Sequence, residues 1–138
     1  MRLLFDTNVL LDAVLGRAPF AGDALALFAA AETGRLTALV GATSLTTVHY
    51  FARKAFGDAR AVESVARLVR AFEVAPVTRA VLEDALTAPL GDFEDAVLAH
   101  AGAHASATGV VTRDPAGFAG GPLRVYTPAD VLAVLALR

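Results

Sequence analysis

The stretch "RLLFDTNVLLDAVLG" at residues 2–16 contains the two local patterns from which the fold class is predicted. Its first four residues form a short apolar run that is typical of a buried strand. Asp6, Thr7 and Asn8 then supply helix-capping side chains, and the apolar residues after them predict a helix. The acid Asp6 therefore stands where a predicted strand passes directly into a predicted helix.

The same alternation of strand and helix continues to the end of the chain. Strands are predicted at residues 2–5, 36–41, 72–77, 109–114 and 123–128. Helices are predicted at 6–16, 21–34, 44–57, 58–72, 78–89, 91–105 and 128–138, with Ser44 and Asp58 as caps of the third and fourth. Such alternation favours parallel pairing through crossover helices. It predicts a three-layer α/β/α sandwich with a central parallel sheet and leaves the strand order open.

Composition limits the class of protein. The 138 residues suit one domain, and a hydrophobic share of 56% with 19% charged residues is typical of a globular chain. The absence of Cys excludes disulfides, thiolate zinc sites and cysteine nucleophiles, and it fits a reducing compartment, so we expect a cytoplasmic protein. Asp6 interrupts what would be a signal peptide, and no apolar run reaches transmembrane length. A net charge of −2 means that nucleic-acid binding would need a local basic patch.

Acidic residues follow two of the predicted strands. Asp6 comes after "RLLF", and Asp114 comes after "GVVTR". In an open α/β sheet, sites form beyond the carboxyl ends of the strands, so these two acids are expected at the same edge. Three more acids, Asp92, Glu94 and Asp95, begin the otherwise apolar helix "GDFEDAVLAHAG" at residues 91–102.

The three acids of that helix have different interpretations. Asp92 suits a helix N-cap. Glu94 suits a solvated acid favoured by the helix dipole, and it should point about 100° away from Asp95. Asp95 begins a segment that is apolar on most sides, where an ionised acid is costly unless it is paired or bound to a metal. No Lys or Arg lies within a helical turn, which favours a functional role, with a pair to a distant Arg as the alternative.

Carboxylates without Cys predict a hard cation. Mg²⁺ or Mn²⁺ takes oxygen ligands and can promote attack of water on a phosphodiester. His100 and His104 have the i,i+4 spacing of zinc ligands, but the chain has neither the HExxH glutamate nor a clear third ligand, so a partly exposed helix face is the simpler interpretation. Ser44, Thr46 and Thr47 either orient substrate or cap a helix. No GxGxxG, GxxxxGK[ST] or GxSxG motif occurs.

Five blocks of the chain resemble a known family. "LLFDTNVLLD", "TTVHYFARK", "DFEDAVLAHAG", "VVTRDPAGF" and "VYTPADVL" resemble, in order and spacing, the PIN domain, and they look most like its VapC-like branch. The resemblance covers essentially the whole chain. It implies an α/β/α fold and an Mg²⁺- or Mn²⁺-dependent ribonuclease that acts on single-stranded RNA. It also implies a toxin with a cognate antitoxin, and a homodimer. Because no apolar run reaches transmembrane length, we expect no membrane association.

The resemblance carries roles onto individual residues. Asp6 matches the first metal-binding acid, Asn8 the polar residue beside it, and Asp95 the acid that opens the long helix. Asp114 matches the acid after the fourth strand, and Thr112 the hydroxyl of the same turn.

The chain departs from the family pattern at two positions. Most members have a Glu where Thr47 stands, and many have an Asp at the position of Gly117. A subgroup with a "DFED" sequence looks similar and also lacks the Glu, so Asp92 or Glu94 is expected to replace it. The candidate catalytic residues are therefore Asp6, Asp92, Asp95 and Asp114, with Glu94 as a further metal ligand. Asn8, Thr47 and Thr112 are candidate substrate contacts.

Three functions stay open on the sequence. The first is a metal-dependent endoribonuclease toxin. The second, motivated by Thr47, is a PIN-like module that binds RNA or protein without chemistry. The third is phosphoryl transfer of the phosphatase or receiver type. The phosphatase type usually has Asp where this chain has Asn8, and the receiver type needs a late lysine, whereas Lys54 is the only lysine.

Overall fold

The computed structural model describes residues 1–88 and 90–138, and in this part of the chain five strands form one sheet. The strands are β1 (Arg2–Phe5), β2 (Thr37–Gly41), β3 (Glu73–Ala75), β4 (Gly109–Val111) and β5 (Arg124–Tyr126). All pairs are parallel, in the order β3-β2-β1-β4-β5. The predicted parallel α/β class is confirmed, and the order that the sequence left open places β1 at the centre.

Helices connect the strands and cover both faces of the sheet. They are α1 (Thr7–Leu15), α2 (Ala21–Glu32), α3 (Ala42–Phe56), α4 (Asp58–Ala71), α5 (Arg79–Thr87), α6 (Phe93–His104) and α7 (Pro128–Ala136), with a 3-10 turn at Pro115–Phe118. Each lies close to its predicted position. The predicted end of the fifth helix, Pro89, lies outside the described residues. No helix within residues 1–88 and 90–138 is long and apolar enough to cross a membrane.

Alternate residues of β1 pack into two different cores. Leu3 and Phe5 belong to a core built with α1, α2 and parts of α3, α4 and α7. Leu4, between them, belongs to a second core built mainly with α5 and α6. All three side chains are fully buried, as expected where successive side chains of a strand point to opposite faces. The sheet is therefore the middle layer of an α/β/α sandwich.

The direction of strand succession reverses beside β1. The chain moves outward on one side through β2 and β3, and then returns to the other side of β1 through β4 and β5. Ligands of open α/β sheets bind at such a switch point, beyond the carboxyl ends of the strands. Here it lies between β1 and β4, where Phe5 pairs with Val111 and the N–H of Asp6 donates to the Val111 carbonyl at 2.9 Å.

Two predicted helix caps are wrong. α3 begins at Ala42 with Gly41 as its N-cap, so Ser44 lies inside the first turn, buried and hydrogen-bonded to the Thr7 hydroxyl at 2.7 Å. α4 has Gly57 as its N-cap, and Asp58 is its first residue. A Cβ at Gly41 would lie 2.5 Å from Leu98 Cδ2, so glycine at this position leaves the space that the Leu98 side chain of α6 occupies. Ser44 instead joins α3 to α1.

Candidate active site

The switch point between β1 and β4 opens into a cleft of about 320 Å³ lined by acids. All five acids singled out in the sequence line this cleft. Its lining residues are Asp6, Thr7, Asn8, Leu11, Thr47, Phe51, Asp92, Glu94, Asp95, Asp114 and Phe118. The fold thus brings together side chains from the ends of two strands, the start of α6 and the inner face of α3.

Thr112 connects the two acids that follow β1 and β4. Its hydroxyl donates to Asp6 Oδ2 at 2.9 Å and accepts from the Asp114 N–H at 3.0 Å. Thr112 is fully buried, and Asp6 is nearly so. These two bonds occupy the hydroxyl. Thr112 is therefore better described as a residue that positions Asp6 and Asp114 than as the substrate contact that was predicted from the sequence.

Asp92 caps α6, as the sequence predicted. Its Oδ1 accepts from the N–H groups of Glu94 at 2.7 Å and Asp95 at 3.3 Å. The cap fixes where α6 begins, and with it the position of Asp95 at the cleft. Asp92 also lines the cleft itself, so the capping role does not remove it from the acid cluster.

Glu94 lies at the cleft with the other acids, although the helical spacing separates it from Asp95 by about 100°. It is exposed, yet its side chain lines the same cleft as Asp92 and Asp95. Its charge raises the pKa of both Asp6 and Asp95. A long side chain in the first turn of a helix can extend past the helix end, so the angular spacing of Cα positions does not decide where the carboxylate lies.

The cleft disfavours ionised carboxylates. Burial is the main cause that raises the pKa of Asp95 to about 6, and repulsion from the other four acids adds to it. Burial also raises the pKa of Asp6, although hydrogen bonds from Thr112 and from the Thr7 backbone oppose the effect. None of the described residues that line the cleft is Lys or Arg, so no cationic side chain offsets this charge there.

The donor atoms of the cleft suit a hard cation. They are carboxylate, hydroxyl and amide oxygens, and no His lines the cleft among the described residues. In the same part of the chain, no group of three or more His, Cys, Asp or Glu side chains is arranged to hold an ion as it stands. The donor atoms therefore fit Mg²⁺ or Mn²⁺. The acids line an open cleft, so their carboxylates would have to move closer together to bind the ion.

The two histidines of α6 lie away from the cleft, against α5. His100 is buried, with its Nε2 3.2 Å from the Ala88 carbonyl oxygen, and His104 pairs with Asp84. The zinc interpretation gains no support from these contacts. The expectation of a partly exposed face holds for His104 and is wrong for His100.

Both departures from the family pattern face the acids. Thr47 lines the cleft at the position where a Glu was expected. A Cβ added at Gly117 would lie 3.0 Å from Asp95 Oδ2 and 3.2 Å from Asp114 Oδ2. Gly117 therefore leaves space between two carboxylates that any side chain would occupy. Thr46 lies beside the cleft, in a groove that it shares with Phe93.

An ion pair that was not predicted from the sequence supports the Asp114 turn. Asp12 of α1 is buried, and its carboxylate accepts from Arg113 Nε at 2.8 Å and Nη2 at 3.3 Å. The Arg113 guanidinium also lies over the Phe20 ring, 4.2 Å from its centroid. Arg113 stands between Thr112 and Asp114 in sequence, so the pair anchors this turn. The available signal was an acid inside the apolar run "NVLLDAVL".

One family model and several solved structures are similar to this chain. A family model described as PIN domain matches residues 2–116. No curated protein gives a significant match.

Three solved structures have the same fold over most of the chain. VapBC2 from Rickettsia felis, bound to a DNA fragment from its promoter, is 15% identical with a TM-score of 0.68, over 92% of this chain and 98% of that one. A toxin–antitoxin complex from Klebsiella pneumoniae is 22% identical with a TM-score of 0.68, over 91% and 97%. Mycobacterium tuberculosis VapC20, a sarcin-ricin loop cleaving toxin, is 17% identical with a TM-score of 0.67, over 86% and 95%. At these identities the likeness is one of fold.

Proposed function

The chain belongs to the PIN-domain family, and we propose that it is a metal-dependent endoribonuclease that hydrolyses single-stranded RNA. One observation carries the proposal: five carboxylates meet in a single cleft at the switch point of the sheet. No Lys or Arg is among the described lining residues. A phosphate could approach so much negative charge only if a cation were bound between them.

The acids divide into a central set and an auxiliary set. Asp6, Asp95 and Asp114 would hold Mg²⁺ or Mn²⁺, with Asp92 or Glu94 in place of the carboxylate absent at Thr47. When bound, the ion supplies positive charge to the phosphate and increases the acidity of water. Thr112 fixes the positions of Asp6 and the Asp114 backbone relative to each other. Asn8 and Thr47 line the cleft as candidate substrate contacts.

The biological setting is part of the same proposal. Structural neighbours include a VapBC assembly and a toxin–antitoxin complex, which support a toxin role with a cognate antitoxin partner. We extend this to a homodimer in the cytoplasm, to one PIN-like domain over residues 1–138, and to the subgroup that carries the "DFED" sequence.

Cleavage of RNA by purified protein tests the proposal. A mixed pool of structured RNAs is incubated with Mg²⁺, Mn²⁺ or EDTA, beside Asp6→Asn and Asp95→Asn. We expect cleavage that needs the metal and is lost in both variants. Asp58→Asn is the matched control, because Asp58 is an exposed acid paired with Arg53 on α3. Equal cleavage by Asp95→Asn and the parent, in preparations free of contaminating nuclease, would refute the assignment.

A binding module without chemistry is the second candidate. It is favoured by Thr47 and Gly117, which stand at the cleft where the family pattern expects acids. Calorimetry with Mg²⁺ and Mn²⁺ separates the two functions. Metal binding in the micromolar to low-millimolar range supports the nuclease, whereas folded protein that neither binds metal nor cleaves RNA supports the module.

A further inference from the structure

One face of α3 leads out of the acid cleft and carries exposed aromatic rings and a cation. Thr47, Tyr50, Phe51 and Lys54 follow the i, i+3, i+4, i+7 spacing of a single helix face. We call these four residues the α3 strip. Thr47 and Phe51 line the cleft, whereas Tyr50 and Lys54 are exposed. The α3 strip therefore extends from the acids to the surface.

The two rings of the α3 strip are open to solvent. Tyr50 is 53% exposed and Phe51 42% exposed. They pack edge to face, with centroids 5.2 Å apart and an interplanar angle of 83°. This packing leaves ring surface that no described residue covers. Exposed aromatic rings next to a candidate site are typical of ligand binding, because a ligand that covers them removes their apolar surface from water.

The cation of the strip is not held by a carboxylate. Lys54 Nζ lies 5.3 Å from the Tyr50 ring centroid and 3.5 Å from its hydroxyl oxygen, and it forms no ion pair with the described residues. The adjacent Arg53, in contrast, pairs with Asp58 at 2.7 Å. The ammonium of Lys54 is therefore available to an anion on the cleft side of α3.

Rings and a free ammonium in this order match the chemistry of unpaired nucleic acid. Proteins bind single strands by stacking bases on aromatic side chains and by placing cations along the backbone. The cleft itself repels a polyanion, so a strand that enters it gains from a positive anchor outside the acids. A duplex offers no free base faces for such stacking.

We propose that the α3 strip binds the unpaired RNA nucleotides next to the scissile phosphate. Phe51 and Tyr50 stack on bases, and Lys54 contacts a backbone phosphate. The inference rests on the proposed ribonuclease function and names the substrate-binding surface of that same site. It makes the requirement for single-stranded RNA a property of α3, and not of the acid cleft.

Binding is tested separately from cleavage. Fluorescence anisotropy follows a fluorescein-labelled unpaired RNA oligonucleotide of mixed sequence, with Mg²⁺ and with Asp95→Asn as the background that leaves the probe intact. Phe51→Leu and Tyr50→Leu should each weaken binding by about tenfold, given the usual contribution of base–aromatic stacking. Phe51→Trp and Tyr50→Phe should retain affinity, because they keep a ring. The duplex of the same sequence should bind more weakly and respond little to these changes.

Matched controls lie on the same helix. Lys54→Gln should weaken binding and lower the slope of log affinity against log salt by about 0.7. Arg53→Gln removes the same charge from the neighbouring position and should leave that slope unchanged. Phe56→Leu removes an exposed ring that packs with Arg60 outside the α3 strip, and it should bind RNA normally.

The outcomes separate this inference from the proposed function. Unchanged binding in both leucine variants, together with cleavage by the unsubstituted protein, overturns the inference and leaves the ribonuclease standing. Loss of binding in those variants, with no cleavage by the unsubstituted protein, overturns the function and leaves the α3 strip as a surface that binds unpaired RNA without a scissile phosphate. If the leucine variants bind RNA normally but light scattering shows that a dimer has dissociated, the face is a contact between copies and the inference fails. Failure of the background protein to bind the probe also overturns it.

Discussion

Replacing Asp95 by Asn should stabilise the metal-free protein while it removes RNA cleavage. Asp95 is half-buried, faces four other carboxylates and receives no side-chain hydrogen bond from the described residues. Asn has the same shape and no charge. The substitution therefore removes repulsion and desolvation without removing a favourable contact, which is the expected behaviour of a residue kept for a ligand and not for the fold.

The magnitude follows from the pKa of Asp95. A pKa of about 6, against an ordinary value of 3.8, corresponds to at most about 3 kcal/mol at neutral pH. Solvent screening of this partly exposed group reduces that to about 1.5 kcal/mol. An acid in the first turn of α6 also gains about 0.5 kcal/mol from the helix dipole, which Asn gives up. We expect a net stabilisation of about 1 kcal/mol, or about 4 °C in Tm for a chain of this size.

The pH dependence has a definite sign. The folded-state pKa of Asp95 lies above its unfolded value, so the folded protein binds more protons between 3.8 and about 6. The contribution to stability is fully present below 3.8 and is lost as the pH rises through about 6. The advantage of Asp95→Asn should therefore be complete at neutral pH and small near pH 4.

Thermal unfolding followed by circular dichroism in EDTA, at neutral pH and near pH 4, measures the effect. Asp130→Asn is a control of opposite sign, because hydrogen bonds from the Thr127 backbone and hydroxyl lower the pKa of Asp130. That variant should lose stability at neutral pH and little in acid. Added Mg²⁺ should raise the Tm of the parent more than that of Asp95→Asn. A neutral-pH Tm of Asp95→Asn in EDTA that equals or falls below the parent's would refute the reasoning.

Other substitutions test the parts that support the site. Thr112→Val keeps the shape and removes the hydroxyl bridge, so denaturant unfolding should show a loss of about 1–3 kcal/mol, and calorimetry weaker metal binding. Asp12→Ala removes a buried carboxylate and leaves the partly exposed guanidinium groups of Arg17 and Arg113 without their partner, so it should cost about 1–3 kcal/mol in urea unfolding. Glu83→Ala breaks an exposed pair and should cost under about 1 kcal/mol. Gly117→Ala places a methyl group against two carboxylates and should weaken Mg²⁺ binding in calorimetry. Gly22→Ala meets open space on α2, should stabilise by about 0.5–1 kcal/mol, and should leave metal binding unchanged.

Much of the fold can be predicted from local sequence patterns, because those patterns reflect interactions between residues that are close in the chain. Hydrophobic periodicity and capping chemistry act over a few residues, so the strand at residues 2–5 and the N-cap at Asp92 could be predicted without any tertiary contact. The caps of α3 and α4 could not. The N-caps of these two helices are Gly41 and Gly57, which have no side chain that could form a cap, so capping chemistry gives no signal at either position.

The alternation of strands and helices and the acids at the strand ends can be predicted from local sequence. Which strand ends lie side by side depends on the tertiary structure. Only the placement of β4 beside β1 brings Thr112 to Asp6, across 106 residues, and only the packing of α1 against the Asp114 turn joins Asp12 to Arg113. The pairing of strands and the formation of long-range ion pairs depend on the free energy of the whole packed chain, in which distant segments compete for the same neighbours. The acids can be identified in the sequence, but only the tertiary fold brings them together in one cleft.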